Sequence, residues 1–445
     1  MLLSSYRNKY LDAHGEELVR ASAAGFVARV VSAAGVFAFS VLLTRTLGVA
    51  DSGLFFLAVG VVSAISVVSR AGLDNAIVRF SAAAIAGNQW SVVGHLYRRS
   101  TALVSALSTA FAIAIYIGAP WIAAGLFTKP GLAEPLRVLA VCLLPISLIM
   151  LHCQFLQSQK RIAPALYFQS ALIPTISIIT IALLPVTWSL GNITMVYTGA
   201  GVLGVILVAG VWLGRAGFFG LPRNSYDSGE FFASSLTLIP SDLVNKILQP
   251  WAALICLGLW STETDAGLFM AASRIAALIT FALIPVNSFA APKIAALWHK
   301  GHLIALRKIT QQATLLMIAV AAPMLLAIVL VPELIMSVFG DDFRSAAAIL
   351  LVLAAAQIIN VVTGPVRSLL LMTGNEQDHR SASLAGGITI LVGCFVLVPA
   401  YGGLGAAWSA AASLIVTNIG ATIFVWRRLG FLPIGLFQRD TESVT

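Results

Sequence analysis

The chain has 445 residues, of which 59% are hydrophobic and only 10% are charged, and its formal net charge is +9. So few charged residues cannot supply the polar surface of a water-soluble protein of this length. Its apolar runs of about 20 residues also exclude a β-barrel, whose strands would read as short alternating segments. We therefore predict an all-α polytopic membrane protein.

Twelve apolar runs, taken in chain order, are long enough to cross a bilayer as helices. They cover residues 24–46, 53–75, 98–120, 136–158, 163–185, 193–214, 231–259, 266–290, 309–332, 345–372, 381–400 and 403–426. The residues before the first run mix acidic and basic side chains, and that run is too long for the apolar core of a signal peptide. We therefore expect no cleavable leader. The four cysteines lie in apolar runs without the spacing of metal ligands, so neither a metal site nor a disulfide is predicted.

The distribution of lysine and arginine predicts the orientation of these spans. The segments on the side of the two termini are rich in both residues, whereas the opposite loops hold only Arg45, Lys129, Arg137 and Arg344. Positively charged loops stay in the cytoplasm, so we expect both termini to be cytoplasmic and the protein to lie in the cell inner membrane. This distribution accounts for the net charge without a nucleic-acid partner.

An internal repeat divides the chain into two halves. The motif DSGLF at Asp51–Phe55 recurs as DAGLF at Asp265–Phe269, 214 residues later, and the same spacing relates Arg79 to Lys293. It predicts an N-terminal lobe (residues 1–214, spans 1–6), a cytoplasmic linker (215–230) and a C-terminal lobe with a short cytoplasmic tail (231–445). Repeats of this kind place a transporter's substrate site at the interface between lobes. The alternative is a duplicated scaffold with no transport role.

Span 7 carries a stripe of polar residues on one helical face, which predicts the wall of a water-filled cavity. Its members are Asp242, Asn245, Lys246 and Gln249. The alternative is that Asp242 and Lys246, four residues apart, only neutralise each other.

Four more cations fall inside predicted spans, and they are Arg29, Arg70, Arg274 and Arg367. Snorkelling to the interface is the alternative for Arg29, Arg70 and Arg367, and hydrogen bonding to backbone carbonyls is the alternative for Arg274. Only two acids, Asp74 and Asp242, accompany the five cations of the spans. A surplus of positive charge in a low dielectric predicts an anionic ligand, and the arginine fork suits phosphate in particular.

Four segments now support a resemblance to a known family. They are TRTLGVADSGLFFLAV (Thr44–Val59), AGLDNAIVRF (Ala71–Phe80), FAAPKIAALWHKG (Phe289–Gly301) and GPVRSLLLMTGNEQDHR (Gly364–Arg380). Along nearly its whole length the chain resembles the Wzx-like polysaccharide and oligosaccharide flippases of the multidrug/oligosaccharidyl-lipid/polysaccharide exporter superfamily.

The resemblance implies two pseudo-symmetric six-helix lobes around a central cavity and alternating access. It implies a substrate of undecaprenyl-pyrophosphate-linked oligosaccharide, flipped to the outer leaflet for surface polysaccharide biosynthesis. Relatives carry basic residues on helices 1, 2, 7 and 8, where this chain has Arg29, Arg70, Lys246 and Arg274. With the polar stripes, we predict a substrate-binding set of Arg29, Arg70, Lys246, Arg274, Arg367, Asn245 and Gln249.

The expected partners are the lipid-linked anionic oligosaccharide, membrane lipids and other membrane proteins of polysaccharide assembly. No cofactor is expected apart from a coupling proton or sodium ion, for which Asp242 and Asp74 are the candidate ligands. Many relatives carry an Asp-Arg pair late in helix 7 where this chain has Gln249-Pro250, so an ion-coupling role does not transfer to that position.

Three rival functions stay open. A multidrug antiporter of the same fold should show surplus acid in its cavity, and a lipid II flippase commonly has additional C-terminal helices. A membrane glycan polymerase would be an enzyme with a long external loop, which these spans do not leave, so we predict a protein that is not an enzyme. The pathway served, whether O-antigen, capsule or exopolysaccharide, stays open as well.

Overall fold

The computed structural model describes residues 13–216 and 229–434, and these residues are almost entirely helical. The first half contains α1 (Ala13–Ser69), α2 (Leu73–Ala86), α3 (Trp90–Trp121), α4 (Ala133–Ser158), α5 (Ile162–Ser170), α6 (Leu172–Leu183) and α7 (Leu190–Ala216). The second half contains α8 (Gly229–Asp242), α9 (Gln249–Trp260), α10 (Glu263–His299), α11 (Leu303–Leu330), α12 (Pro332–Met336), α13 (Ala347–Val362), α14 (Val366–Met372) and α15 (Glu376–Leu429). The predicted division into lobes stays a prediction, and residues 217–228 of its linker lie outside the described residues.

The helices of the described chain account for twelve membrane spans. Nine are long and apolar enough to cross a membrane, and α5 with α6 forms a further span bent by 55°. Each of the two longest helices, α1 and α15, joins two helices at a glycine with non-helical backbone, Gly48 in α1 and Gly402 in α15. The prediction of an all-α polytopic membrane protein is confirmed.

Three spans that were predicted as continuous helices are interrupted: 163–185 is bent between α5 and α6, and 53–75 and 345–372 are broken at a glycine. Gly72 and Gly364 stand at the breaks with positive φ angles of 72° and 67°, which only glycine adopts without strain. An added β-carbon on Gly72 would collide with the backbone carbonyl of Ser235 in α8, so this glycine also permits close packing of the two halves. Pro365 follows Gly364 and has no N–H to continue a helix.

The two halves meet tightly at Gly53 and Gly267, the equivalent glycines of the repeated motif. An added β-carbon on Gly53 would collide with the carbonyl of Glu263, and one on Gly267 would collide with the carbonyl of Val49. Because each glycine faces backbone of the other half, α1 and α10 cross closely only while both positions lack a side chain. We call this glycine crossing, with the loops beside it, the closed face.

Lys129 joins the two halves at the closed face. Its side chain is buried, and its Nζ donates to the carbonyl oxygens of Gly258 and Ser261, both at 2.6 Å, and of Phe127 at 3.2 Å. The first two acceptors lie at the C-terminal end of α9, where the helix dipole favours a cation. Burial lowers the pKa of the Lys129 ammonium, while nearby Glu263 acts in the opposite direction. The three carbonyls replace the water that the ammonium loses.

On the opposite side, contacts between the halves run along α2 and α8. The rings of Phe80 and Phe231 meet edge to face with centroids 5.6 Å apart, and Gly72 packs on Ser235 just beyond them. The halves therefore meet on both sides, and the cavities between them lie toward the end of the molecule that holds Arg29 and Gln157.

Candidate functional site

The largest of the three cavities described here lies between the two halves and has a volume of about 550 Å³. Arg29 and Asp74 line it from the first half, and Lys246 and Arg274 line it from the second. A second cavity of about 310 Å³ and a third of about 450 Å³ adjoin it. These volumes are typical of ligand sites.

Arg274 occupies the junction of these spaces, because it lines all three cavities. It extends from α10 toward the first half, where its guanidinium carbon lies 6.0 Å from the ring centroid of Phe56. Its Nε is buried and donates no hydrogen bond, and no carboxylate in the described part of the chain pairs with it. The backbone-carbonyl contacts offered as the alternative for Arg274 are absent from the same residues.

Arg70 and Lys246 lie in a buried ion cluster that bridges the halves. Lys246 Nζ donates to Asp74 Oδ2 at 2.7 Å and to Asp242 Oδ2 at 2.9 Å. Arg70 Nε donates to Asp74 Oδ1 at 2.9 Å, and its Nη1 donates to the hydroxyl of Ser66 at 2.7 Å. Two cations thus balance two carboxylates, and Asp74 is the carboxylate that both cations contact.

The local backbone explains how these four residues meet. Arg70 ends the first part of the broken span, and Asp74 lies in the first turn of α2, where the helix dipole favours an acid. Lys246 lies in a π-helical segment, Leu243–Leu248, which precedes a proline. Pro250 cannot donate to the carbonyl of Lys246, so the regular helical hydrogen bond is missing there.

The other predicted site residues are dispersed. Arg29 is exposed in the first cavity, and Gln249 is exposed in the third. Arg70 is buried in the ion cluster and lines none of the three cavities. Asn245 and Arg367 are exposed and also line none of them. Of the predicted binding set, the first cavity therefore brings together Arg29, Lys246 and Arg274.

Sequence reasoning missed four amide side chains in the first cavity. They are Asn75, Gln154, Gln157 and Gln169. The available signal was the pair Gln154 and Gln157, three residues apart on one face of a long apolar span. In the part of the chain that the structure describes, no group of His, Cys, Asp or Glu could hold a metal ion.

The ion cluster predicts an order of stability for two isosteric variants. Asp74→Asn removes the carboxylate that both cations share and leaves buried Arg70 without one, so we expect a loss of about 3–5 kcal/mol in the free energy of unfolding. Asp242→Asn leaves Lys246 paired with Asp74, so its loss should be smaller, about 1.5–3 kcal/mol. Thermal unfolding of the purified variants in one detergent measures both. Equal losses, or the reverse order, would contradict the shared role of Asp74.

Comparison with known proteins now places this architecture. A family model described as "Polysaccharide biosynthesis protein" matches residues 19–298. The chain is also 23% identical over 256 residues to a protein named "Probable flippase AglR" from Haloferax volcanii. That match covers 55% of this chain and 54% of the relative, so it spans about half of that protein's length.

Solved structures show the same fold at low sequence identity. The lipid II flippase MurJ in an inward closed conformation matches 90% of this chain and 86% of its own, with a TM-score of 0.70 and 14% identity. An inward-facing multidrug resistance MATE family transporter of the MOP superfamily matches 91% of this chain and 98% of its own, with a TM-score of 0.63 and 14% identity. A MOP superfamily transporter from Pyrococcus furiosus, described as having a binding pocket of reverse polarity, matches 93% of this chain and 95% of its own at 15% identity, with a TM-score of 0.60. The chain thus shares the fold of these transporters, and it belongs to the polysaccharide biosynthesis protein family whose model covers more than half of it.

Proposed function

We propose that this chain flips an undecaprenyl-pyrophosphate-linked oligosaccharide from the cytoplasmic to the outer leaflet of the cell inner membrane, for the biosynthesis of a surface polysaccharide. The observation that carries the proposal is Arg274, an arginine that lines all three cavities between the halves and lacks a carboxylate partner in the described chain. A cation without a carboxylate partner favours an anionic ligand. The planar guanidinium group of arginine matches a phosphate group. Family membership and the flippase name of the Haloferax relative support a lipid-linked glycan as the substrate.

The proposed route begins on the side of the chain termini, which the positive-inside rule assigns to the cytoplasm. Arg29 attracts the diphosphate headgroup into the first cavity, and Arg274 binds it deeper. The isoprenoid tail stays in lipid between α1 and α10, where Phe281 both lines the cavity and is exposed. The halves then rock against each other so that the closed face opens and the headgroup leaves on the other side.

The membrane potential favours this direction of transport. An anion that leaves a negative cytoplasm gains about 2.3 kcal/mol for each charge moved through a potential of 100 mV. A headgroup that carries two charges therefore supplies part of the driving force itself.

Asp74 and Asp242 are our candidates for ion coupling. Both carboxylates contact Lys246, so a proton or sodium ion bound by either one weakens a contact of that lysine. Lys246 is thereby released toward the cavity, where it joins Arg274 on the diphosphate. The ion-bound and ion-free states thus differ in the number of cations offered to the substrate.

The charged residues of the cavity and of the outer loops bear on the rival functions. A multidrug antiporter for cations needs unpaired acid, whereas Asp74 and Asp242 both contact Lys246 in the described structure. A lipid II flippase shares the diphosphate chemistry, so only the glycan separates it from this proposal. A glycan polymerase requires catalytic groups in the outer loops, where Lys129 is held in a structural contact at the closed face.

Reconstitution into lipid vesicles tests the proposed function. We expect vesicles that contain the protein to move a fluorescent undecaprenyl-diphosphate-linked sugar between leaflets, measured by quenching with a membrane-impermeant reductant. Protein-free vesicles provide the baseline. Vesicles tested with lipid II and with the cationic dye ethidium separate the rivals, and lengthening of the glycan by mass spectrometry would reveal a polymerase. Transport of ethidium without transport of the lipid-linked sugar would contradict the proposal.

A further inference from the structure

The first cavity has a second polar wall, distinct from its cations. The side-chain amides of Asn75, Gln154, Gln157 and Gln169 line it, and all four belong to the first half of the chain. We call these four residues the amide wall. Asn75 lies on α2, Gln154 and Gln157 lie on α4, and Gln169 lies near the end of α5. The cations Lys246 and Arg274 line the same cavity from the second half.

The amide wall is unsatisfied by the protein. None of its side chains hydrogen-bonds another residue in the described ranges 13–216 and 229–434. A different pair of amides shows the usual arrangement, because Gln357 accepts hydrogen bonds from Asn360 at 2.9 Å and from Thr280 at 3.3 Å. Asn75 is exposed and the three glutamines are half-buried, so water or a ligand can reach all four amides and satisfy them. The amide wall therefore faces a space that holds hydrogen-bonding groups.

Amides and arginine suit two different parts of the proposed substrate, the sugar and the diphosphate. A side-chain amide both donates and accepts, as the hydroxyl and acetamido groups of a sugar do. A diphosphate at neutral pH mainly accepts hydrogen bonds, so the cations bind it more strongly than the amides do. Gln154 and Gln157 lie on one face of α4, so their amides can meet neighbouring groups of one sugar ring.

We propose that the amide wall is a glycan subsite, which binds the first sugar attached to the diphosphate while Arg274 binds the diphosphate itself. This inference rests on the proposed function and adds the orientation of the substrate. The sugar lies against α4 and α5 of the first half, and the phosphates lie against α10 of the second half. A glycan-bearing lipid therefore contacts both halves at once.

Equilibrium binding to the purified full-length chain in detergent tests the glycan subsite. The two probes are undecaprenyl diphosphate and undecaprenyl-diphosphate-linked N-acetylglucosamine, with affinities measured by native mass spectrometry. We expect the sugar-bearing lipid to bind the wild-type chain about 10- to 100-fold more tightly, as a few added hydrogen bonds would give. The double variant Gln154→Leu/Gln157→Leu should lose most of this difference and keep the affinity for undecaprenyl diphosphate, which also shows that it folds.

A matched control variant tests whether the loss is specific to the amide wall. Gln312→Leu makes the same change at an exposed glutamine on α11 that lines none of the three cavities, and it should keep the full difference. If the wild type binds both lipids equally, or if the double variant keeps the difference, the glycan subsite is overturned while the diphosphate site stands. If neither lipid binds the wild type, the proposed function fails and the glycan subsite fails with it.

Discussion

Replacement of Arg274 by alanine is expected to reduce flipping of the lipid-linked sugar by at least about 100-fold. The arginine fork can make two charge-assisted hydrogen bonds to a phosphate, each worth about 1.5–3 kcal/mol, and about 1.4 kcal/mol corresponds to a factor of ten. Arg274 has no carboxylate partner among the described residues to compensate for the burial of its Nε. The alanine variant should therefore unfold at the same temperature as the wild type or higher. Loss of transport without loss of stability is the signature of a binding cation.

Two further variants separate charge, geometry and position. Arg274→Lys keeps the charge and loses the fork, so its rate should lie between those of the wild type and Arg274→Ala. Lys293→Ala removes a cation from the same helix, α10, where the ammonium lies 3.8 Å from the ring centroid of Phe289. That variant should transport at nearly the wild-type rate. Normal transport by both Arg274 variants, at normal protein levels, would remove Arg274 from the proposed site.

Replacement of Gly53 by alanine is expected to shift the population of molecules away from the sealed conformation. The added methyl group would meet the backbone of α10, which no rotamer change can move aside. Overpacking of this kind costs about 1–3 kcal/mol, which corresponds to about a 5- to 150-fold change in the population of the closed face. Transport should fall as well, because a carrier that cannot close one face cannot complete its cycle.

A reporter beside the glycine measures this shift. Ser52 is fully buried at the crossing, so a Ser52→Cys variant without the four native cysteines should react slowly with a membrane-impermeant maleimide added outside. The Gly53→Ala change should accelerate labelling by about the same 5- to 150-fold factor. Gly199→Ala is the matched control, because nothing lies within 4 Å of the added β-carbon there. Equal labelling rates in both variants would show that the glycine crossing does not control the closed face.

The fold was largely predictable because membrane spans follow from the length of apolar runs alone. The breaks were not, since glycine also occurs inside helices, and the close packing of Gly72 on Ser235 is a contact between the halves that the sequence does not show. Spans 53–75, 163–185 and 345–372 were therefore predicted without interruption.

Contacts in the site were predictable only between residues that lie close together in sequence on one helix. The pair of Asp242 with Lys246 follows from spacing along one helix. The contact of Lys246 with Asp74, 172 residues away in sequence, depends on how the two halves pack and could not be predicted from helical spacing. Arg274 has no carboxylate partner in the described chain, and this too depends on how the two halves pack. The amide wall was missed because its four members come from three helices, α2, α4 and α5, which only the packing of the first half brings together.

The glycine crossing has a further consequence for the history of the chain. Gly53 and Gly267 occupy equivalent positions of two repeats and face each other's helices, which is the geometry of a contact across the twofold axis of a symmetric homodimer. Two separate copies of one half would contact each other through the same glycine of each copy. In a single chain the neighbours of the two glycines can differ, and here Ser52 precedes one glycine and Ala266 precedes the other, both fully buried. A single chain thus allows each side of the same contact to change independently.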